Sequence, residues 1–137
     1  MSKSNFIRDL IQITRGLIID SLPINSILAG AKTWEMRSSA VKFREKIAVI
    51  RKRSGTVVGW ADLVDCIGPL TRDEMIANLD RHQGTRDRVE RGEFDKWPYA
   101  WVLRDVVKLA QPVRYNHPLG AVKWVTLEAS VSSQLRT

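Results

Sequence analysis

Gly30-Ala31-Lys32-Thr33-Trp34-Glu35-Met36-Arg37 is the stretch whose reading decides this chain. A cation, a carboxylate and a second cation fall between an apolar segment with helical spacing and a basic strand. Opposite charges this close in sequence are able to share a pocket, neutralise one another and recognise a polar ligand. Upstream, Pro23 suits the first turn of a helix, Ile24, Ile27 and Leu28 stand at helical spacing, and Gly30 is a natural stop. Thr33 to Arg37 then reads as a strand with polar content unusual for a core. Strict alternation sets Lys32 with Trp34 and Met36, and Thr33 with Glu35 and Arg37. Lys32 and Glu35 therefore meet only if Lys32 lies in the turn after Gly30 or the strand bulges.

Further out, Leu17 to Asp20 reads as a strand, as do Lys46 to Arg51, Thr56 to Val64, Tyr99 to Val107 and Ala121 to Leu127. Thr56 to Val64 is nearly continuous apolar sequence, which predicts burial on both faces, and Gly59 inside it predicts a bulge or tight bend. Thr71-Arg72-Asp73-Glu74 is a capping box that opens a helix. Residues 4–14 are predicted to form an amphipathic helix, residues 81–96 a mobile excursion of helix and loop, and residues 130–137 a frayed tail. Five or six strands with two or three short flanking helices predict an α+β fold, a small mixed β-barrel. The expected layout is a helical extension over 1–15, a barrel domain over 16–128 and a tail over 129–137.

With 137 residues, 44% of them apolar and 27% charged, the chain has the composition of one globular domain. It contains no apolar run of about 18 residues, so no membrane span is expected. The first residues lack the apolar core of a secretion signal, and Cys66 is the single cysteine. Both observations predict a cytoplasmic protein. Two histidines and one cysteine, widely scattered, argue against a zinc site. No cofactor is implied: phosphate-binding glycine loops, dinucleotide motifs and nucleophilic triads are absent from the sequence. The net charge of +7 favours polyanions.

Written as Gly-x-Lys-x-x-Glu-x-Arg, the opening stretch resembles the signature of the ASCH domain, a small relative of the PUA RNA-binding barrel. The helix Pro23 to Ala29, the strand Val57-Val58-Gly59-Trp60-Ala61 and the late Tyr99-Ala100-Trp101-Val102-Leu103 are similar to its landmarks in the same order. The resemblance spans roughly residues 16–127. It implies a PUA-like barrel of five or six strands with a cleft beside the motif, and an association with RNA binding or modified-nucleoside processing. In members similar to acetylcytidine amidohydrolases, the position matched by Glu35 carries a threonine nucleophile that works with the motif lysine. Glutamate stands here, so residue-by-residue carry-over covers Lys32 alone.

On their own chemistry, Lys32 and Glu35 are the candidate catalytic pair. A lysine in a cleft binds phosphate, polarises a carbonyl or, when burial lowers its pKa, acts as a base; the alternative is an ordinary salt bridge or a solvated rim. Glu35 is read either as a hydrogen-bond acceptor and acid/base or as a structural partner of Arg37 or Lys32. Arg37, Thr33, Trp34, Tyr99 and Trp101 are candidate ligand-binding residues, with the aromatics, Trp97 among them, able to stack on a base. Lys42, Arg44 and Lys46 alternate onto one face as a candidate phosphate-tracking stripe, or else as a charged edge that deters aggregation. Asp62 either pairs with a basic residue or backbone donors or faces the cleft, while His82 and His117 read as surface or loop-structural residues. The expected partner is RNA or a modified nucleoside or nucleotide. Two rivals stand beside recognition: a metal-independent ribonuclease or nucleoside amidohydrolase, and a protein adaptor with a vestigial cleft.

Overall fold

The computed structural model describes residues 13–135; the helix expected over residues 4–14 lies almost wholly outside them. Six strands form one mixed sheet in the order β2-β5-β4-β3-β1-β6, curled into a half-barrel. They are β1 (Arg15–Ile19), β2 (Trp34–Arg37), β3 (Glu45–Arg51), β4 (Thr56–Ile67), β5 (Tyr99–Arg114) and β6 (Trp124–Thr126). Among the described residues the only parallel pairing is β1 with β3, Leu17 opposite Val49, and helix α1 (Ser21–Leu28) begins the excursion between them. Three further helices, α2 (Arg72–Ile76), α3 (Leu79–His82) and α4 (Arg86–Glu90), lie between β4 and β5, and α5 (Ala129–Ser132) follows β6. No helix among the described residues is long and apolar enough to cross a membrane.

The parallel pair β1 and β3 explains the layering. Leu17, Ile19, Ile47 and Val49 face the barrel interior, where Ile24 and Ile27 of α1 cover them and Val58, Leu63, Trp101 and Leu103 complete the core. Their neighbours Ile18, Ala48 and Ile50 face the other way, onto Val57, Val125, Val131 and Leu135. Burial on both faces accounts for the unbroken apolar runs of β1 and β3. It also corrects the expectation of a frayed tail: α5 and the 3₁₀ turn Ser133–Leu135 cover the second face. There the Ser132 hydroxyl donates to the Ile13 carbonyl at 2.6 Å.

Strand β4 is buried on both faces only as far as Gly59 and then alternates, half-buried Asp62 marking the change. The register of β4 shifts around Val58 against both neighbours. A Cβ at Gly59 would stand 2.5 Å from the Val107 carbonyl oxygen and 2.7 Å from Leu28, so the bulge requires glycine. The capping box of α2 forms as read, with Thr71 and Glu74 bonded reciprocally. Residues 81–96 are not the weakly anchored excursion expected: Val89 is fully buried and Phe94 is 8% exposed, packed with Met75, Trp34 and Met36. Among the described residues five helices flank the sheet rather than two or three, because α3, α4 and α5 are each a single turn whose period is too short to register in sequence.

Candidate functional site

Helix α1 ends at Leu28, and the amides of Ala31 and Lys32 both return to the Ser26 carbonyl, at 3.0 and 3.1 Å. Lys32 therefore lies in the turn, ahead of the first residue of β2. That placement resolves the alternation problem. The Lys32 ammonium sits 3.9 Å from Glu35 Oε1, while Arg37 donates to Glu35 Oε2 at 2.8 Å. Arg37 also donates to the Ile18 carbonyl of β1 at 2.9 Å, tying the motif strand to the far side of the barrel.

Lys32, Glu35 and Arg37 open together into a cleft of about 580 Å³. Lys52 and Arg88 add cations to its wall, Asp20 adds a carboxylate, and Phe94 and Trp97 supply aromatic surface. Leu22 and Val122, both strongly exposed, form an apolar stretch of the lining. Lys52 pairs with Asp20 at 3.4 Å and Arg88 with Glu93 at 2.6 Å, so four cations meet three carboxylates and a single positive charge in excess favours an anion.

Lys32 and Glu35 are only 6% and 7% exposed, which sets the electrostatics. Burial pushes the Lys32 pKa down; Glu35 opposes the shift, while Arg37 and Arg88 add to it. An ammonium held this way is more readily deprotonated than a surface lysine. Its second anchor is backbone: Lys32 donates to the His82 carbonyl at 2.9 Å. His82 is buried, its Nε2 bonded to the Met75 carbonyl and its Nδ1 accepting from the Gly84 amide. Burial is also the main cause that lowers the His82 pKa.

The other sequence candidates divide. Trp34 and Trp101 are 4% and 1% exposed and offer no face to a base. Trp34 packs with Met36 and Phe94 behind the motif. Trp101, paired with Glu35 across β2 and β5, is a floor beneath Arg37, whose guanidinium lies 5.7 Å from the indole. Tyr99 pairs with Arg37 in the same ladder and packs on the core. Thr33 is exposed and borders a second depression of about 750 Å³, which Lys32 also lines together with Trp34, Arg81 and Arg104. The basic stripe is largely neutralised. Lys46 pairs with Asp62 at 2.9 Å and Arg44 lies 3.7 Å from Asp65, which leaves Lys42 exposed.

Lys52, His82, Arg88 and Phe94 are the lining residues that sequence reasoning did not assign. Lys52 carried a signal, being part of the basic run Arg51-Lys52-Arg53 beside β3. His82 carried none, since its partners Met75 and Gly84 and its client Lys32 converge only in the fold.

The ASCH domain family model matches residues 17–112. Among solved structures, the ASCH protein from Zymomonas mobilis aligns with a TM-score of 0.60 at 18% identity, covering 88% of this chain and 92% of that one. One single-substitution variant of it aligns with a TM-score of 0.65 at 17% identity, covering 88% of this chain and 94% of its own. A second variant aligns at 0.61 and 16%, covering 91% and 96% respectively. No curated protein matches the sequence.

Proposed function

Because this chain belongs to the ASCH domain family, a PUA-like fold often linked to RNA binding, we propose that the cleft beside Lys32, Glu35 and Arg37 binds single-stranded RNA or a nucleotide. One observation carries the reading: Lys32 and Glu35 are buried together, with half-buried Arg37 beside them, and the three open into a cleft rather than pairing at the surface. Fold stability gives no reason to bury them, since apolar residues of similar volume serve as well or better. In this reading phosphates lie against Lys32, Arg37 and Lys52, and Glu35 accepts from a base or ribose donor. Half-buried Trp97 takes the place assigned from sequence to Trp34 and Trp101, and stacking there contributes about 1–3 kcal/mol per base. Lys42, with no carboxylate partner among the described residues, is the stripe residue best able to extend the phosphate track.

The test is titration of a labelled short single-stranded RNA at several salt concentrations. Contacts with roughly three phosphates give a log–log salt slope of about −2. Loss of one charge-assisted contact in Lys32→Met lowers affinity about tenfold or more. Absence of binding at low salt, or binding indifferent to salt and to Lys32, overturns the proposal.

A second reading rests on the lowered Lys32 pKa. A lysine that exchanges protons beside a carboxylate 3.9 Å away supports hydrolysis of RNA, or of a modified nucleoside, with no metal. Incubation of labelled RNA with the wild type and with Lys32→Ala decides it: cleavage must occur and must vanish in the variant.

A further inference from the structure

We propose that His82 is the positioning residue for Lys32: its neutral imidazole, wedged between the Met75 carbonyl and the Gly84 amide, fixes the backbone carbonyl that holds the Lys32 ammonium, so that protonating His82 releases Lys32 from the cleft wall.

The hydrogen bonds determine the tautomer. The Gly84 amide donates to Nδ1 at 3.0 Å, so Nδ1 is unprotonated, and Nε2–H donates to the Met75 carbonyl at 2.8 Å. Residues 82–84 wrap tightly around the ring. Gln83 is left-handed, with φ of 63°, and a Cβ at Gly84 would lie 2.8 Å from Nδ1 and 2.7 Å from the Phe94 ring. Phe94 packs on the imidazole with centroids 5.4 Å apart. The ring, the loop and the His82 carbonyl therefore move as one body, and Lys32 is bound to that body at 2.9 Å.

A second proton has no place in this arrangement. On Nδ1 it would confront the Gly84 amide, donor against donor, and the bond would open. The charged groups around the ring oppose it as well. Lys32, from the turn before β2, and Arg88, from α4, repel an imidazolium, and Asp80 on α3 is the one carboxylate that favours it. Neutral His82 is thus the state in which Lys32 stays in place, and acid is the condition that displaces it.

The functional consequence rests on the reading of the cleft as an RNA site, whereas the coupling of His82 to Lys32 is measurable without ligand. Nitrogen-15 NMR of the wild-type protein, titrated between about pH 8 and about pH 5, follows the His82 ring, the Gly84 amide and Lys32 Nζ. The expected result is a ring with one protonated nitrogen at neutral pH, then a single transition shared by all three signals. Signals for Gly84 and Lys32 that stay put while the His82 ring titrates overturn the proposal. A uridine dinucleotide, whose bases and phosphodiester do not titrate in this window, then reports on function. Its affinity should fall about tenfold per pH unit below the His82 midpoint, as one proton demands. In His82→Gln, which keeps a donor toward Met75 but cannot titrate, that fall should disappear, whatever affinity the variant retains at neutral pH. A variant whose affinity falls with acid like the wild type also overturns the proposal. No dinucleotide binding at any pH, with the three NMR signals still coupled, sinks the RNA reading and leaves the His82–Lys32 linkage standing.

Discussion

Lys32 loses solvation in its turn and recovers it incompletely, from one backbone carbonyl and a carboxylate 3.9 Å away. Lys32→Met removes the desolvation burden but leaves the His82 carbonyl without a donor, a cost of about 1–3 kcal/mol. Glu35 keeps its closer partner, Arg37. These effects oppose one another, so stability should change by only about 1 kcal/mol in either direction, while RNA binding is lost. Thermal melts beside RNA titrations measure the two together, and a variant that loses stability and binding in proportion would make Lys32 a structural residue. His82 adds a pH dependence of known sign. The unfolded chain protonates it near the ordinary 6.5 and the folded chain only at lower pH. Between those values the unfolded state binds more protons, so this contribution is present above the window and lost as pH falls through it. The expected difference is a denaturation midpoint that drops with acid more steeply in the wild type than in His82→Gln. The motif was legible in sequence because its charges are local: Lys32, Glu35 and Arg37 meet within six residues. The histidine was not, because its contacts with Met75 and Lys32 span 7 and 50 residues.

At the scale of elements, residues 81–96 look like a loose excursion in sequence, yet together with α2, whose capping box is legible, they behave as a cap in structure. Each helix there carries few residues, yet Met75, His82, Val89 and Phe94 all turn inward. Amide exchange at Val89 and Phe94 should therefore be slow, comparable to Val57 in β4, and exchange as fast as in the exposed loop around Leu119 would contradict this packing. Thr71→Ala removes the reciprocal cap of α2 and should cost about 1 kcal/mol, with faster exchange confined to residues 71–96. Strands and α1 were readable because period and punctuation agree along them: Pro23, Gly30 and the Ser54-Gly55 turn bound runs of clear spacing. Between residues 81 and 96 the charges obscured the pattern. Arg88 pairs with Glu93 and Arg91 with Asp87, so the density of charge reflects mutual pairing at the surface rather than a lack of anchorage beneath. The tail misled for a related reason, since three inward residues in seven give no measurable period.

For the molecule as a whole, the sheet's curl has an optical consequence. Trp101 belongs to β5 and Trp124 to β6, at nearly opposite ends of the strand order, yet their indoles stack 5.7 Å apart with planes 16° from parallel. Only closure of the barrel brings them together. Two parallel indoles at this separation couple their electronic transitions, so the protein carries a built-in gauge of whether its open side is shut. Near-ultraviolet circular dichroism of Trp101→Phe and Trp124→Phe should lose the same band, each alone abolishing what the pair produces. An unaltered band in either variant would show that the indoles do not couple. The Arg37 guanidinium lies 5.7 Å from one of these rings and Lys123 Nζ 5.9 Å from the same ring. An anion drawn to Arg37 alters the field on that chromophore. The gauge therefore reads occupancy as well as closure, and ligand screening needs no label on either partner.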